Sequence, residues 1–182
     1  MRSKIEASAV ALFQSEGYAA VSMRRLAKDV GCSPMTLYSY FDSKIDILRT
    51  LWAQVFEELF AGLQPVLDSS DEPALRLERL AHGYVQYWVD HPEHYRMVFL
   101  SEGVSQPDVD VFLDSTEVAQ RFSAFYELLG AAGEKGPSET KTSGDYLIAA
   151  LHGIVHCRIT MSGYPWSSVE DLVALAVTST KR

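Results

Sequence analysis

His152 and His156 stand four residues apart with Cys157 beside the second, so a helix would put both imidazoles on one face, within reach of a transition metal. Hydrolytic zinc chemistry of the His-Glu-x-x-His kind needs a glutamate after the first histidine, and Gly153 stands there instead. Three readings stay open for the pair: core histidines, polar anchors of a ligand pocket, or a metal-sensing site. No metal and no cofactor is assigned. Serine is plentiful, but no Gly-x-Ser-x-Gly nucleophile elbow occurs, and the chain reads as a non-enzyme.

The segment from Met23 to Tyr40 says more. Ala27, Gly31 and Leu37 have the spacing of a helix-turn-helix: a small residue for close approach, a glycine for the turn, and a leucine to pin the second helix on the first. That second helix, Pro34 to about Tyr40, shows Ser33, Met35 and Thr36 to solvent in its first turn. In a DNA-binding pair this turn reaches base edges while its N–H groups face phosphates. Tyr38 cannot share the inward side with Leu37, so its phenol projects outward, able to donate to a phosphate. Lys44, in the first turn of the next helix, is poorly placed for the local dipole unless a phosphate joins it there. Arg24, on the outer face of the preceding helix, is a further candidate DNA contact.

These residues need short helices held at fixed angles, and the local signals supply them. Ser22 can cap a helix carrying Met23, Leu26, Ala27 and Val30, ended by Gly31; Ser33 caps the next, with Pro34 at its first position. Ahead of them Ile5, Ala9, Leu12 and Phe13 share a helical face that stops at Gly17. After them Ser43, with Asp46 in capping-box position, opens a long apolar helix reaching Pro65. Further helices are predicted at about 74–89, 93–100 and 108–129. The glycine-rich stretch 130–144 reads as loop, 146–161 and 169–178 as two last helices, and Ser167 with Glu170 as a second capping box. Strand signals are almost absent, so the fold class is all-α.

The 182 residues are 47% apolar and 22% charged, the makeup of a folded globular protein. No apolar run approaches the roughly 18 to 20 residues of a membrane span, and two cysteines make no disulfide framework. A cytoplasmic protein without a membrane partner is expected. The net charge of −8 is uneven: residues 1–50 balance at +2 and the remainder carries −10. A basic end facing a polyanion and an acidic bulk suggest two jobs, a reader over 1–45 and a second domain over 46–182.

In that second domain aromatic rings are dense. Tyr84, Trp88, Tyr95, Phe99, Phe122 and Tyr126, with His152 and His156, would line a cavity for a mostly apolar or aromatic effector if their helices surround a common space. On the last two helices Leu147, Leu151, Val155 and Ile159, then Val169, Leu172, Val173 and Val177, form apolar stripes. They suit a symmetric four-helix seam in a homodimer, or packing inside one subunit.

The block Gly17-Tyr18 … Val21-Ser22-Met23-Arg24-Arg25-Leu26-Ala27 … Val30-Gly31-Cys32-Ser33-Pro34-Met35-Thr36-Leu37-Tyr38-Ser39-Tyr40-Phe41-Asp42-Ser43-Lys44 resembles the DNA-binding domain of TetR-type transcriptional regulators. The resemblance implies an all-α homodimer, with a three-helix reader of double-stranded operator DNA and a variable C-terminal domain that binds a small effector and dimerises. It places Ser22, Thr36, Tyr38 and Lys44 where the family contacts DNA, mostly at phosphates. Met35 and Tyr40 depart from the common glycine or polar residue and histidine. The His91–Phe99 string and Leu151-His152-Gly153 resemble a subgroup whose C-terminal domain bears a Trp and a His-Gly pair, with Ile148 at the tryptophan position. The function implied is a ligand-responsive regulator, a repressor released from a palindromic operator. The rival class is an all-α small-molecule or metal carrier whose first domain is only scaffold.

Overall fold

Every regular element among the described residues of the computed structural model is a helix. The structure describes residues 1–19, 21–105, 112, 116–133 and 136–180. The helices are α1 (Arg2–Glu16), α2 (Met23–Val30), α3 (Pro34–Tyr38), α4 (Lys44–Leu67), α5 (Pro73–Asp90), α6 (Pro92–Phe99), α7 (Thr116–Ala132), α8 (Pro137–Thr160) and α9 (Val169–Thr180). The chain divides into two compact units, Met1–Glu57 with Glu93–Ser115, and Glu58–Pro92 with Thr116–Arg182.

In the first unit the apolar periodicity buries as expected. Ile5, Ala9, Leu12 and Phe13 of α1, Leu26 and Ala27 of α2 and Leu37 of α3 are all buried, with α1 packed on α2 and α2 on α3. The α2–α3 turn is short because Gly31 takes the left-handed conformation (φ 73°, ψ 36°), which a side chain would strain. Its N–H goes to the Lys28 carbonyl (3.3 Å) and that of Cys32 to Ala27 (2.9 Å), the two bonds of a Schellman end. In the same unit the first part of α4 is tied to α6 through Trp52, whose indole N–H donates to the Met97 carbonyl at 3.0 Å and whose ring meets Phe112 edge-on.

In the second unit α5 is the hub, packed by α7, α8 and α9. Its Leu77, Leu80, Ala81, Tyr84, Val85 and Trp88 are buried. The stretch 130–144 is not one loop. Helix α7 runs through Ala132, and α8 begins at Pro137, with Glu139 at its third position reaching back to the Gly136 N–H at 3.4 Å. The first two turns of α8 are polar, so they carry no apolar period to read. Gly144 belongs there because a Cβ would run into the Tyr126 ring. The cap of α9 also shifts by one residue: Ser168, not Ser167, accepts from the Asp171 N–H at 3.0 Å. Much of the helix expected at 108–129 lies outside the described residues up to 115; from 116 onward it is α7.

Candidate nucleic-acid interface and effector region

Helix α3 has five residues, too few to be stable alone, so its shape is imposed from both ends. At its start the Ser33 hydroxyl accepts from the Thr36 N–H (3.0 Å) and meets the Thr36 hydroxyl at 2.9 Å. Below it Leu37 is fully buried, and everything else on the helix faces water: Met35 is 83% exposed and Tyr38 51%. A short helix therefore presents thioether, hydroxyl and phenol outward from a fixed base. Ser22 and Arg24 are exposed at the start of α2, the Ser22 hydroxyl capping it by accepting from Arg25 N–H at 3.2 Å. The expected contacts Ser22, Arg24, Ser33, Met35, Thr36, Tyr38 and Tyr40 are thus all surface residues of one small unit.

Lys44 is placed differently. Its ammonium donates to the Tyr18 carbonyl at 2.7 Å and lies 3.9 Å from the centre of the Tyr18 ring, and burial lowers its pKa. It ties the α1–α2 connection to the first residue of α4. Two further ties surround the reader. Arg25 forms a two-pronged ion pair with Glu16 (2.9 and 2.6 Å), joining α2 to the end of α1. Arg2 donates to the Tyr40 carbonyl at 3.2 Å and sits over the Phe41 ring. Sequence reasoning missed Arg2 and Tyr18 in these roles.

The candidate effector residues fall in both units. Tyr95 and Phe99 belong to the first unit, where Phe99 meets Phe56. In the second unit Tyr84 is fully buried, and its ring contacts Trp88, Phe122 and Phe125 at 5.7–6.2 Å, mostly edge-on. Its hydroxyl is 2.6 Å from His152 Nε2. Burial pushes the His152 pKa down to about 4, so the ring is neutral at pH 7. His156, one turn on, is exposed. Tyr126 donates to Asp145 at 2.9 Å; burial and that bond raise the phenol to about 12, while hydrogen bonds from Lys141 and Tyr126 hold Asp145 below its usual range.

The apolar stripes of α8 and α9 are also corrected. Leu147, Leu151 and Val155 have no exposed surface within one chain, and Val169, Val173 and Val177 have almost none. They fill the core of the second unit and have nothing left to offer a partner. Ile159 and Leu172 keep partial exposure. Outward faces carry Tyr146, Gly153 and His156 on α8 and Leu175 on α9.

Two family matches fall on this architecture. Residues 5–51 match "Bacterial regulatory proteins, tetR family", and residues 77–179 match "Tetracyclin repressor-like, C-terminal domain". The chain belongs to the tetR family of bacterial regulatory proteins, a family of transcription regulators and not of enzymes. Among curated relatives it is similar to the HTH-type transcriptional activator FasR of Mycolicibacterium smegmatis, 24% identical over 108 residues, 59% of this chain and 49% of that one. It is also similar to the nucleoid occlusion factor SlmA of Marinobacter nauticus, 32% identical over 81 residues, 44% of this chain and 42% of that one. The chain thus spans about half the length of the curated relatives it matches. Among solved structures the TetR family transcriptional regulator PfmR of Thermus thermophilus shares the fold, with TM-score 0.66 and 20% identity over 98% of this chain and 97% of that one. The carrier reading, with the first domain as scaffold, is not favoured by these matches. No helix among the described residues is long and apolar enough to cross a membrane.

Proposed function

We propose that the chain works as a homodimeric, ligand-responsive repressor, with residues 1–45 reading a palindromic operator and residues 46–182 binding an effector and dimerising. The observation that carries the DNA part is α3: a capped helix whose one inward side chain is Leu37 and whose outward side chains are Met35, Thr36 and Tyr38. Such a helix has no packing reason to be so exposed, and it fits a major groove. Two copies should engage half-sites about 34–36 Å apart or a multiple of it. The effector reading rests on the ring cluster around Tyr84, where a neutral imidazole and a phenol stand among apolar rings, suited to a mostly apolar or aromatic molecule of modest size. Dimerisation is assigned to the outward faces of α8 and α9. Effector binding then shifts the balance between states of different operator affinity.

The test is selection of bound duplexes from fragmented genomic DNA, followed by footprinting and a promoter-reporter assay. An inverted repeat whose occupancy lowers reporter output supports the proposal. Failure to enrich any sequence overturns it, and output that rises with occupancy replaces repression by activation.

A further inference from the structure

A cavity of about 370 Å³ lies in the first unit, between the end of α1 and one face of α6. Its size is at the lower end of small-molecule sites. Phe13 and Tyr18 wall one side, and Met97 with the 38% exposed Leu100 the other. The charges around it are unequal. Glu93 and Glu102 contribute two carboxylates, against one guanidinium from Arg96. Both helices also end here. Arg96 lies in the last turn of α6 and offsets that helix's negative end, whereas the last turn of α1 carries no basic residue, and its cap Gly17 lines the cavity. The lining is apolar in its walls and carries two carboxylates to one guanidinium, and the nearby Lys44 ammonium is taken up by the Tyr18 carbonyl and ring. That combination stabilises an ammonium group on a hydrocarbon body and disfavours a carboxylate on the same body.

The wall residue Tyr18 is the one that Lys44 grips by its carbonyl and ring. It also packs on Phe13, with ring centres 5.5 Å apart. Anything seated in the cavity touches the α1–α2 connection, and through Lys44 the entry to α4. We propose that this cavity is a second small-molecule site, for amphipathic organic cations, and that its occupancy changes operator affinity through Tyr18. The second half rests on the DNA-binding reading.

The probes are phenethylamine, phenylacetate and 2-phenylethanol, which carry one ring with a positive, a negative or a neutral head. Titrations of the full chain with methyl-labelled methionine report at Met97, whose resonance is assigned with Met97→Leu. Phenethylamine is expected to shift that signal saturably, with affinity at least about fivefold above phenylacetate. The Glu93→Gln/Glu102→Gln variant should lose the preference, and Leu100→Trp, which fills the cavity from an exposed position, should lose binding while melting as the parent does. No saturable shift at Met97, or phenylacetate binding as well as phenethylamine, overturns the site. Saturating phenethylamine should change affinity for the selected operator in the parent and not in Leu100→Trp. An unchanged operator affinity despite binding at Met97 overturns the coupling alone. A chain that enriches no operator leaves the Met97 titration standing as the test of the site.

Discussion

Lowering the pH from 7.5 to 5 should destabilise the second unit through one residue, His152. Its imidazole is half-buried against the Tyr84 hydroxyl, and desolvation there brings its pKa to about 4 from the ordinary 6.5. The unfolded chain takes up that proton near pH 6.5, the folded chain only near 4. Between those values the unfolded state binds more protons, so stability is complete above about pH 6.5 and is lost as pH falls. Across the whole window the shift is worth roughly 3 kcal/mol, of which about 2 kcal/mol is lost by pH 5. Other groups titrate as well, so the quantity to measure is the difference between parent and His152→Leu in urea unfolding at fixed protein concentration. At pH 7.5 the parent should be the more stable by about 1 kcal/mol, the worth of one hydrogen bond. At pH 5 the order should reverse. A pH-independent difference, or an NMR titration of His152 with a midpoint above 6, would refute the reasoning.

Three other perturbations follow from the same geometry. Ser33→Ala removes the α3 cap and should cost about 1 kcal/mol of stability in denaturant unfolding, with a larger loss of operator affinity because the helix carrying the contacts frays. Exchanges at Met35 and Thr36 should alter which bases are enriched in a selection, while Tyr38→Phe should weaken all sequences alike; the parental site recovered for every Met35 and Thr36 variant sinks the assignment. Leu151→Arg should abolish folding by circular dichroism, whereas Gly153→Arg, on the outward face of α8, should leave a folded monomer by sedimentation. A folded Leu151→Arg monomer would return the stripe to the interface.

Local signals carried most of what was legible. Ser22, Gly31, Ser33 and Pro34 each act on neighbours within a few residues, so their types and spacing fix α2, the turn and α3 before any tertiary contact is known. The polar beginning of α8 was hidden for the opposite reason: with no apolar face in its first turns, only Pro137 and Glu139 announce it. Leu147, Leu151 and Val155 show a different limit, since an apolar stripe at helical spacing is the same sequence signal whether its cover comes from its own chain or another. Contacts between distant residues left no trace at all. Lys44 and Tyr18 are 26 positions apart, Tyr84 and His152 are 68, and each residue alone reads as an ordinary surface or core side chain.

The three ties around the reader bear on how it can respond to a ligand. Arg25 holds the end of α1 to α2, Arg2 holds the start of α1 to the carbonyl of Tyr40 just past α3, and Lys44 holds the α1–α2 connection to the first residue of α4. Together with the buried Leu37 they join all three helices, so Met35, Thr36 and Tyr38 keep their mutual geometry whatever happens elsewhere. A signal that bent α3 against α1 would have to break a bidentate ion pair and open the apolar core, which is expensive in a unit this small. A signal that moves the reader as a body need only act where the chain leaves it. That point is Lys44, whose ammonium on the Tyr18 carbonyl and ring can be recaptured by a phosphate at the cost of one hydrogen bond and one cation–π contact.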